Sequence, residues 1–394
     1  MNKKASWFIL PAMIIGSFNS IQAQSADEII ASHIDAHGGQ QAWDRVEAIK
    51  VTGKFTAFSL ENDYTAYKTK DGSYYGDLYM GEKPVIEAIH GGEGWTIDPW
   101  QGMDYARPLN SVEMNALMQK AEFITPFLDY KEKGNTVEYT GLDTVDGRAM
   151  HVLALTRTNG KVETWYLDAE SFLEYKCKSE WVDFARMAPG ETYFDDFREV
   201  DGLVFPFFVE RTFWQRDRIL LVEEIGINPE VDQTLFVMPR RPEMDKLAFM
   251  AGAWNVSLEV MTRRGTWYPM GKTTSVIDFV AHNMLQENIT YERIYRTART
   301  RQIAYNESTG YRVSEYDDLT TSITLYEGTL NDTAFIFDEK NPVVVDPESE
   351  SVQRNRYVLS PLDSAGFVIE RQVSPDEGET WMARDRFIYS RTEE

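Results

Sequence analysis

The chain has 394 residues, of which 43 % are hydrophobic and 13 % aromatic, and its formal net charge is −23. This length predicts two or three domains that bury their own cores, and the composition is typical of a β-rich globular protein and not of a disordered one. The strong negative charge repels nucleic acid and anionic lipid headgroups and argues against both as partners.

The first 23 residues have the pattern of a secretory signal peptide. Lys3 and Lys4 precede an apolar run from Trp7 to Phe18, and Ile21-Gln22-Ala23 forms a cleavage site before Gln24. The apolar run is shorter than the roughly 20 residues that a membrane-spanning helix needs. We therefore predict that the mature chain is periplasmic or secreted.

The first element of the mature chain is predicted to be a helix from Ser25 to His37. Ser25 is a suitable N-cap, and Gly38-Gly39 ends the helix. His33 and His37 are four residues apart, so one helix face presents both to a metal ion. The sequence identifies no third ligand, since Ile34 stands where a zinc-protease motif has glutamate. We predict no metal site.

Short strands and a second helix follow. Runs from Ile49 to Phe58 and from Asp63 to Thr69 lead to Asp71-Gly72, which predicts a two-residue hairpin turn. The second helix is predicted from Ser111 to Phe123. Its apolar face carries Met114, Leu117, Met118 and Ala121.

The stretch from Val137 to Ile225 predicts an up-and-down antiparallel meander. Its aromatic-rich strands are separated by Asp146-Gly147, Asn159-Gly160 and Asp201-Gly202, which are typical of type I′ turns because both central residues need positive φ. Leu203 to Phe208 is apolar throughout, so both faces of this strand need cover.

Alternation along one strand of this meander predicts which side chains point inward. Along this strand, charged residues alternate with five residues that we expect on one buried face: Leu173, Tyr175, Cys177, Ser179 and Trp181. Cys177 is the only cysteine, so no intrachain disulfide can form. A buried, inert thiol is the expectation for it.

A turn-rich stretch from Gly226 to Asp245 interrupts the strand pattern. We predict a first domain over residues 24–239, a linker over 240–245 and a second domain over 246–394. In the second domain, nine or ten short strands with no helix between them predict a closed up-and-down barrel. The fold class predicted for the whole chain is all-β dominated.

Four segments of the first domain carry a family resemblance. They are ADEIIASHIDAHGG at its start, then TWYLDAESFLEYK and DDFREVDGLVFPFFVE, and GINPEVDQTLFVMP at its end. This part of the chain resembles the periplasmic outer-membrane lipoprotein-sorting (LolA/LolB-like) superfamily. The resemblance implies a half-open antiparallel β cup plugged by helices. Known carriers of this superfamily hold acyl chains against the concave face, so it also implies a hydrophobic small molecule, lipoprotein acyl chains included.

The second domain is similar to small lipocalin-like β-barrels of unknown function. The segment that carries the similarity is DKLAFMAGAWNVSLEV. Some barrels of related shape bind haem through a histidine late in the chain, but no histidine follows His282 here. We therefore predict no haem and no other cofactor.

The chain has no recognisable catalytic motif: the GxSxG elbow, a zinc ligand set and the dinucleotide fingerprint are all absent from the sequence. We predict a non-enzymatic carrier that binds a lipidic or amphipathic ligand in the first domain, with the second helix as a movable cover. The candidate ligand-binding residues are Tyr175, Trp181, Phe205, Phe207, Leu117, Met118 and Trp254.

Two alternatives stay open at this point. An envelope module that docks a protein or a glycan would expose aromatic patches on its convex faces. A hydrolase of envelope material would bring carboxylates together in a cleft, with shifted pKa values. Peripheral contact with a membrane and an envelope protein partner are compatible with the sequence.

Overall fold

The computed structural model describes residues 25–57, 60–80, 83–123, 125–183, 186–213, 216–280, 282–292, 295–331, 333–341, 343–346, 351–362 and 366–391. The predicted signal peptide lies outside these residues. The chain divides after Met238 into two compact units, inside the turn-rich stretch from Gly226 to Asp245. Within the described ranges, no helix has the length and apolar character to cross a membrane.

Helices are few and short. The four α-helices are α1 (Ala26–Ala36), α2 (Gln40–Trp43), α3 (Ser111–Ala121) and α4 (Pro242–Asp245), and 3-10 turns occupy Pro99–Gln101, Gln233–Phe236 and Ala248–Met250. The two longer helices begin with capping boxes, formed by Ser25 with Glu28 and by Asn110 with Glu113. In each box, the side chain of either residue accepts a hydrogen bond from the backbone N–H of the other. The predicted helices are therefore confirmed, and α3 ends two residues earlier than expected.

The first unit is built on a single curled antiparallel sheet of thirteen strands. In chain order they are β1 (Ala48–Ala57), β2 (Leu60–Thr69), β3 (Tyr74–Met80), β4 (Lys83–His90), β5 (Glu93–Asp98), β6 (Met103–Pro108), β7 (Thr136–Val145), β8 (Arg148–Thr156), β9 (Val162–Asp168), β10 (Glu174–Asp183), β11 (Arg186–Val200), β12 (Leu203–Phe213) and β13 (Arg216–Ile227). Consecutive strands pair with each other, except β6 and β7. The first strand, β1, also pairs with the last, β13, so β6 and β7 lie at the two ends of the sheet. The predicted half-open cup is confirmed.

Two of the predicted tight turns have a different geometry. Asp146-Gly147 and Asp201-Gly202 have positive φ at both residues, as a type I′ turn requires. At Asn159-Gly160 and Asp71-Gly72 only the glycine has positive φ, and its N–H donates to the carbonyl three residues earlier. The expectation of two-residue turns there is wrong, because the glycine instead follows a type I turn in the left-handed region.

A β-bulge at Tyr175 reverses the predicted facing at the start of β10. Glu174 lies opposite Leu167 and Lys176 lies opposite Tyr166, so Tyr175 is an extra residue in the pairing with β9. Cys177 is buried as expected. Tyr175 does not lie on the same face as Cys177. Glu174 is buried instead of Tyr175, with 3 % of its surface exposed.

The inner face of the first sheet carries the hydrophobic core. Ile29 and Ile30 of α1 pack with Phe127, Leu153 and Trp165. A neighbouring cluster surrounds the predicted apolar strand, where Leu203, Phe205 and Phe207 pack against Trp43 of α2 and Leu128. The alternate residues of this strand are Val204, Pro206 and Phe208, and they are only partly buried. One face of this strand is therefore fully buried, and the other face is only partly buried.

The second unit is a closed antiparallel barrel. Its strands are β14 (Gly252–Met261), β15 (Trp267–Val280), β16 (Met284–Glu292), β17 (Arg296–Asn306), β18 (Gly310–Asp317), β19 (Ser322–Leu330), β20 (Phe335–Glu339), β21 (Val343–Asp346), β22 (Ser351–Pro361), β23 (Gly366–Ser374) and β24 (Met382–Arg391). Sequence neighbours pair, β14 pairs with β24, and β20 pairs with β22, so ten strands form the ring and β21 extends β22 as a hairpin. The predicted up-and-down barrel is confirmed.

Side chains fill the interior of this barrel. Trp254, Phe367 and Tyr389 pack edge-to-face or stacked at ring distances from 4.2 to 6.4 Å. A buried polar network lies beside them, in which Arg301 forms ion pairs with Glu287 at 2.7 Å and with Glu315 at 2.8 Å. The interior of the barrel is therefore a packed core. This is common in small barrels, whose interior-facing positions are filled by side chains.

Candidate ligand cavity

A cavity of 410 Å³ lies on the inner face of the first sheet, against α3. We call it the inner cavity. Its volume falls within the range of roughly 300–1,000 Å³ that is typical of small-molecule sites. Much of the wall is apolar, contributed by α3 and strands from both halves of the sheet, with side chains such as Val51, Leu117, Phe194, Phe205, Leu220 and Val222. The inner face of the cup is therefore incompletely filled by protein.

Helix α3 covers part of this cavity. Leu117 and Ala121 pack with Ala66, Tyr74 and Ile89 of the sheet. Leu117 is 2 % exposed, whereas Met118 on the same helix is 54 % exposed. Met118 lines a second depression outside α3, between the helix and the 157–162 turn, which we call the outer groove.

Ion pairs at both ends hold α3 against the sheet. Near its N-terminus, Arg107 donates to both oxygens of Glu113, at 2.9 and 2.7 Å. Along the helix, Lys120 pairs with Glu87 of β4. Charge-assisted pairs with two parallel hydrogen bonds are among the stronger polar contacts, so the position of α3 depends on electrostatics as well as on Leu117.

Arg157 lies between the inner cavity and the outer groove and lines both. Its Nε and Nη2 donate to the two oxygens of Glu163, at 2.9 and 3.1 Å, and its Nη1 donates to Glu122 Oε1 at 2.5 Å. Burial lowers the pKa of Arg157, but Glu163 and Glu122 outweigh it and raise the pKa above its ordinary value. The residue Glu122 directly follows α3, so Arg157 connects the end of the cover helix to β9.

Cations lie on the cavity wall beside the apolar side chains. Arg211 of β12 lies directly opposite Arg218 of β13, and both line the inner cavity together with Lys68 of β2. Burial lowers the pKa of Arg211 to about 10. Burial is also the main reason that the pKa of Lys68 falls to about 8, and the nearby Arg211 lowers it further.

His33 and His37 are buried on the inner side of α1, and each ring is held by a backbone carbonyl. His33 Nδ1–H donates to Phe172 O, and His37 Nδ1–H donates to Val204 O, both at 2.7 Å. His33 Nε2 accepts from Thr125 Oγ1 at 2.9 Å. Burial and the neighbouring His37 lower the pKa of His33 to about 4, so this imidazole is neutral near pH 7.

His37 forms a buried ion pair with Glu174. Its Nε2–H donates to Glu174 Oε2 at 2.7 Å, and both side chains are almost fully buried. Burial opposes both charges, but the contact outweighs it, raising the pKa of His37 and lowering the pKa of Glu174. An imidazolium and a carboxylate therefore connect α1 to β10.

The same three residues are the candidate metal ligands in the described part of the chain. One ligand atom from each of His33, His37 and Glu174 lies within 4.8 Å of the others. The carbonyls on both Nδ1 atoms fix the rings as they do in many metal sites. However, the Nε2 atoms are engaged with Thr125 and Glu174. The arrangement is thus satisfied as a hydrogen-bonded ion pair without a metal.

Four of the predicted site residues lie on or near the cavity. Leu117 and Phe205 line the inner cavity. Phe207 is buried in the cluster around Trp43 that also contains Phe205. Met118 faces the outer groove and not the inner cavity.

The other three predicted site residues are placed elsewhere. Tyr175 packs beside Tyr166 on the other face of the sheet, and its hydroxyl donates to Asp146 at 2.5 Å. Trp254 belongs to the core of the second unit, where its Nε1 donates to Met250 O at 2.7 Å. Trp181 lies in β10, and its side chain falls outside the described part of the structure.

The polar residues of the cavity were not among the predicted site residues. Arg211 follows Leu203, Phe205, Phe207 and Val209 at period 2, so strand alternation alone places it on the inner face. Glu174 had no such signal, because the bulge at Tyr175 changes its facing.

Comparison with known proteins finds likenesses of fold. The sequence matches no family profile and no curated protein. A LolA superfamily protein from Nitrosomonas europaea is 12 % identical with a TM-score of 0.38, over 55 % of this chain and 98 % of that one. A DUF1329 family protein from Desulfovibrio piger is 12 % identical with a TM-score of 0.38, over 53 % and 97 %. Rv2717c from M. tuberculosis is 9 % identical with a TM-score of 0.28, over 39 % and 100 %.

These comparisons concern the fold alone. A member of the LolA superfamily, which the sequence resembles, is among the solved structures with a likeness of fold.

Proposed function

We propose that this chain is an exported binding protein that holds a lipidic or amphipathic molecule in the inner cavity. The observation that carries the proposal is the 410 Å³ cavity between the apolar inner face of the sheet and α3. Each methylene that a ligand transfers from water to such a wall contributes about 0.8 kcal/mol. A single acyl chain therefore gains useful affinity from burial alone.

The ligand enters, in this proposal, by displacement of α3. Arg157 stands between the outer groove and the inner cavity, and its bond to Glu122 closes the end of the helix onto β9. Breaking the pair of Arg157 with Glu122, whose side chain is 16 % exposed, leaves the more deeply buried pair with Glu163 in place. The cover can thus open without leaving Glu163 unpaired.

The proposal is of a carrier and not of an enzyme. A hydrolase that works through paired carboxylates needs one carboxylic acid whose pKa is raised towards neutrality. Glu113 and Glu174 line the inner cavity, and Arg107 and His37 lower their pKa values. Their ion pairs support a structural role. Export rests on the sequence pattern of residues 1–23, and it places the carrier in the cell envelope or outside the cell.

The test is ligand binding by a matched pair of variants. Leu220 lines the cavity, and its neighbour Leu221 points to the other face of the same strand, with 38 % of its surface exposed. Leu220→Trp fills the cavity, whereas Leu221→Trp adds the same ring outside it. The wild type and L221W should release lipid on solvent extraction and bind a fluorescent fatty acid after delipidation, and L220W should do neither.

Thermal unfolding curves establish that both variants are folded. If the gently purified wild type carries no lipid in native mass spectrometry and binds none on titration, the carrier proposal fails. Equal binding by folded L220W and L221W would place the ligand somewhere other than the inner cavity.

A further inference from the structure

Two tyrosine hydroxyls meet on the wall of the inner cavity. Tyr64 of β2 and Tyr74 of β3 both line the cavity, and their hydroxyl oxygens lie 3.1 Å apart. Tyr74 is 1 % exposed and packs against Leu117 of α3, and Tyr64 lies partly buried beside it. We call these two hydroxyls the tyrosine pair. It places polar atoms on the wall under the cover helix.

Neighbouring residues fix the positions of both rings. The ring of Tyr64 stacks on Phe55 of β1, with the ring centroids 6.4 Å apart. Gly76 leaves the space that the Tyr74 hydroxyl occupies, because a Cβ at this position would lie 2.3 Å from that oxygen. The tyrosine pair therefore has a defined place on the wall, and its hydroxyls do not need to be ordered by a ligand.

The tyrosine pair has one more hydrogen-bond donor than it uses. Each hydroxyl has one O–H donor, and a single hydrogen bond joins the two oxygens. Within the described ranges of the chain, neither hydroxyl has another hydrogen-bond partner. Buried hydroxyls normally find an acceptor. The remaining O–H is therefore a point at which a ligand of the cavity can gain a hydrogen bond.

The remaining donor belongs to Tyr64, which is the more accessible of the two residues. Burial raises the pKa of both hydroxyls, to about 12 for Tyr64, so both keep their protons near neutral pH. Their mutual hydrogen bond lowers the pKa of Tyr64 and raises the pKa of Tyr74. These directions are expected when Tyr74 donates and Tyr64 accepts, which leaves the O–H of Tyr64 for the cavity.

Charges of both signs act on the tyrosine pair. Besides burial, Glu87 of β4 raises the pKa of both hydroxyls, whereas Arg211 of β12 lowers the pKa of both. An anion that accepted the O–H of Tyr64 would be repelled by the carboxylate of Glu87. An uncharged acceptor avoids this repulsion. The surroundings of the pair therefore favour a dipolar group over an ionised one.

We propose that the ligand of the inner cavity is a hydrocarbon-tailed molecule with an uncharged carbonyl group, an ester or a ketone, whose oxygen accepts the O–H of Tyr64. This inference rests on the carrier function proposed above and names its ligand class. A carbonyl oxygen has two lone pairs and no donor, so it complements a single O–H. The tail lies along the apolar wall at Val51, Phe205 and Leu220.

The decisive experiment compares polar groups on tails of similar length. Delipidated wild-type protein is titrated with methyl decanoate, undecan-2-one, 1-chloroundecane and decanoate, by displacement of a bound fluorescent hydrocarbon dye. The ester and the ketone should bind about three- to tenfold more tightly than the chloroalkane, as expected for one neutral hydrogen bond. Decanoate should bind more weakly than its methyl ester.

Variants assign the preference to one hydroxyl. Tyr64→Phe should remove the preference for methyl decanoate over 1-chloroundecane while leaving the affinity for the chloroalkane within a factor of about two. Tyr67→Phe is the matched control, because Tyr67 lies on the other face of β2, opposite Tyr75 of β3. It should keep the full preference.

The infrared spectrum of the bound ester gives a second measurement, since its carbonyl band lies apart from the amide bands of the protein. A hydrogen bond from Tyr64 should lower the frequency of this band in wild type and Y67F relative to Y64F. The same frequency in all three folded proteins would show that Tyr64 does not donate to the ligand, and would overturn the inference.

The outcomes separate this inference from the carrier function. If the ester, the ketone and the chloroalkane bind wild-type protein equally, the carbonyl inference is overturned while the carrier function stands. Tighter binding of decanoate than of its methyl ester would overturn it too, because the preferred acceptor would then be an anion. If none of the four compounds binds, the carrier function itself fails. These comparisons on the wild type remain decisive even if a variant does not fold.

Discussion

Glu174 Oε2 lies 2.7 Å from His37 Nε2, inside the first unit, although strand alternation places Glu174 on the opposite face. The bulge at Tyr175 produces this contact by inserting one residue into the pairing of β9 with β10. The ion pair joins α1 to the sheet beside the core cluster of Ile29, Phe127 and Trp165. One local irregularity of the backbone thus fixes how a helix plugs the cup.

Removing the charge of Glu174 should destabilise the first unit strongly. Glu174→Gln leaves His37 without its counter-ion in a buried site, where breaking an ion pair costs about 3–5 kcal/mol. Urea unfolding followed by tryptophan fluorescence measures the loss. Glu180→Gln is the control, since Glu180 pairs with Lys161 at the exposed surface, and pairs of that kind contribute about 1 kcal/mol or less. Equal effects of the two variants would contradict the role assigned to the buried pair.

The buried pair should stabilise the fold most between about pH 4.5 and 6.5. Because the pKa of His37 is raised in the folded state, its contribution to the free energy of unfolding is complete below the unfolded-state pKa of 6.5. This contribution is lost as pH rises through the folded-state pKa. Because the pKa of Glu174 is lowered in the folded state, its contribution to the free energy of unfolding is complete above the unfolded-state pKa of 4.5. This contribution is lost as pH falls through the folded-state pKa. The stability difference between wild type and E174Q, measured from pH 3 to 9, should therefore pass through a maximum inside that window.

His33 should make the first unit sensitive to acid. Its pKa is about 4 in the folded state against 6.5 as a model value, so the unfolded state binds the proton more tightly. Stability is therefore lost as pH falls from 6.5 towards 4, by up to about 3 kcal/mol. His33→Gln cannot take up this proton. The gap in unfolding free energy between wild type and H33Q should narrow on acidification, and a gap that is constant with pH would refute the assignment.

Loosening the end of α3 should speed ligand exchange. Glu122→Gln removes the charge that pairs with Arg157 and Lys133 but leaves the buried Arg157–Glu163 pair intact. Loss of charge-assisted hydrogen bonds worth about 1.5–3 kcal/mol predicts a release rate at least about tenfold higher. Stopped-flow release of a fluorescent fatty acid measures this rate. Asp104→Asn, which removes an exposed ion pair with Lys83, should leave it unchanged.

The second unit should depend on Arg301 for its stability. Arg301→Met leaves Glu287 and Glu315 buried without their shared cation, at a cost of about 3–5 kcal/mol. Arg312→Met on the neighbouring strand breaks only the exposed pair with Glu327 and should cost about 1 kcal/mol or less. Calorimetric unfolding of both variants tests the difference, and a small effect of R301M would show that the network is not needed for stability.

Local features of this protein could be predicted from its sequence because they depend on neighbours along the chain. Ser25 and Asn110 cap helices through residues three positions away. Asp146-Gly147 and Asp201-Gly202 form the turns that their residue types favour. Alternating apolar residues in the second half predicted the barrel, since a strand pattern of period 2 with short connections leaves few other arrangements.

Contacts between distant segments were decided only by the tertiary structure. The bulge that turns Glu174 inward has no signature in the alternation of β10, because one inserted residue changes the facing of its neighbours without changing their types. Lys68 of β2 is far in the sequence from Arg211 and Arg218, which lie on the consecutive strands β12 and β13, and the pairing of β1 with β13 brings these strands to one wall. The sequence by itself determined the elements and the fold class, through local hydrogen bonds and hydrophobic periodicity. Alternation along β12 places Arg211 on the inner face, but the inward position of Glu174 and the meeting of distant strands at the cavity depended on a bulge and on long-range strand pairing, which no local pattern encodes.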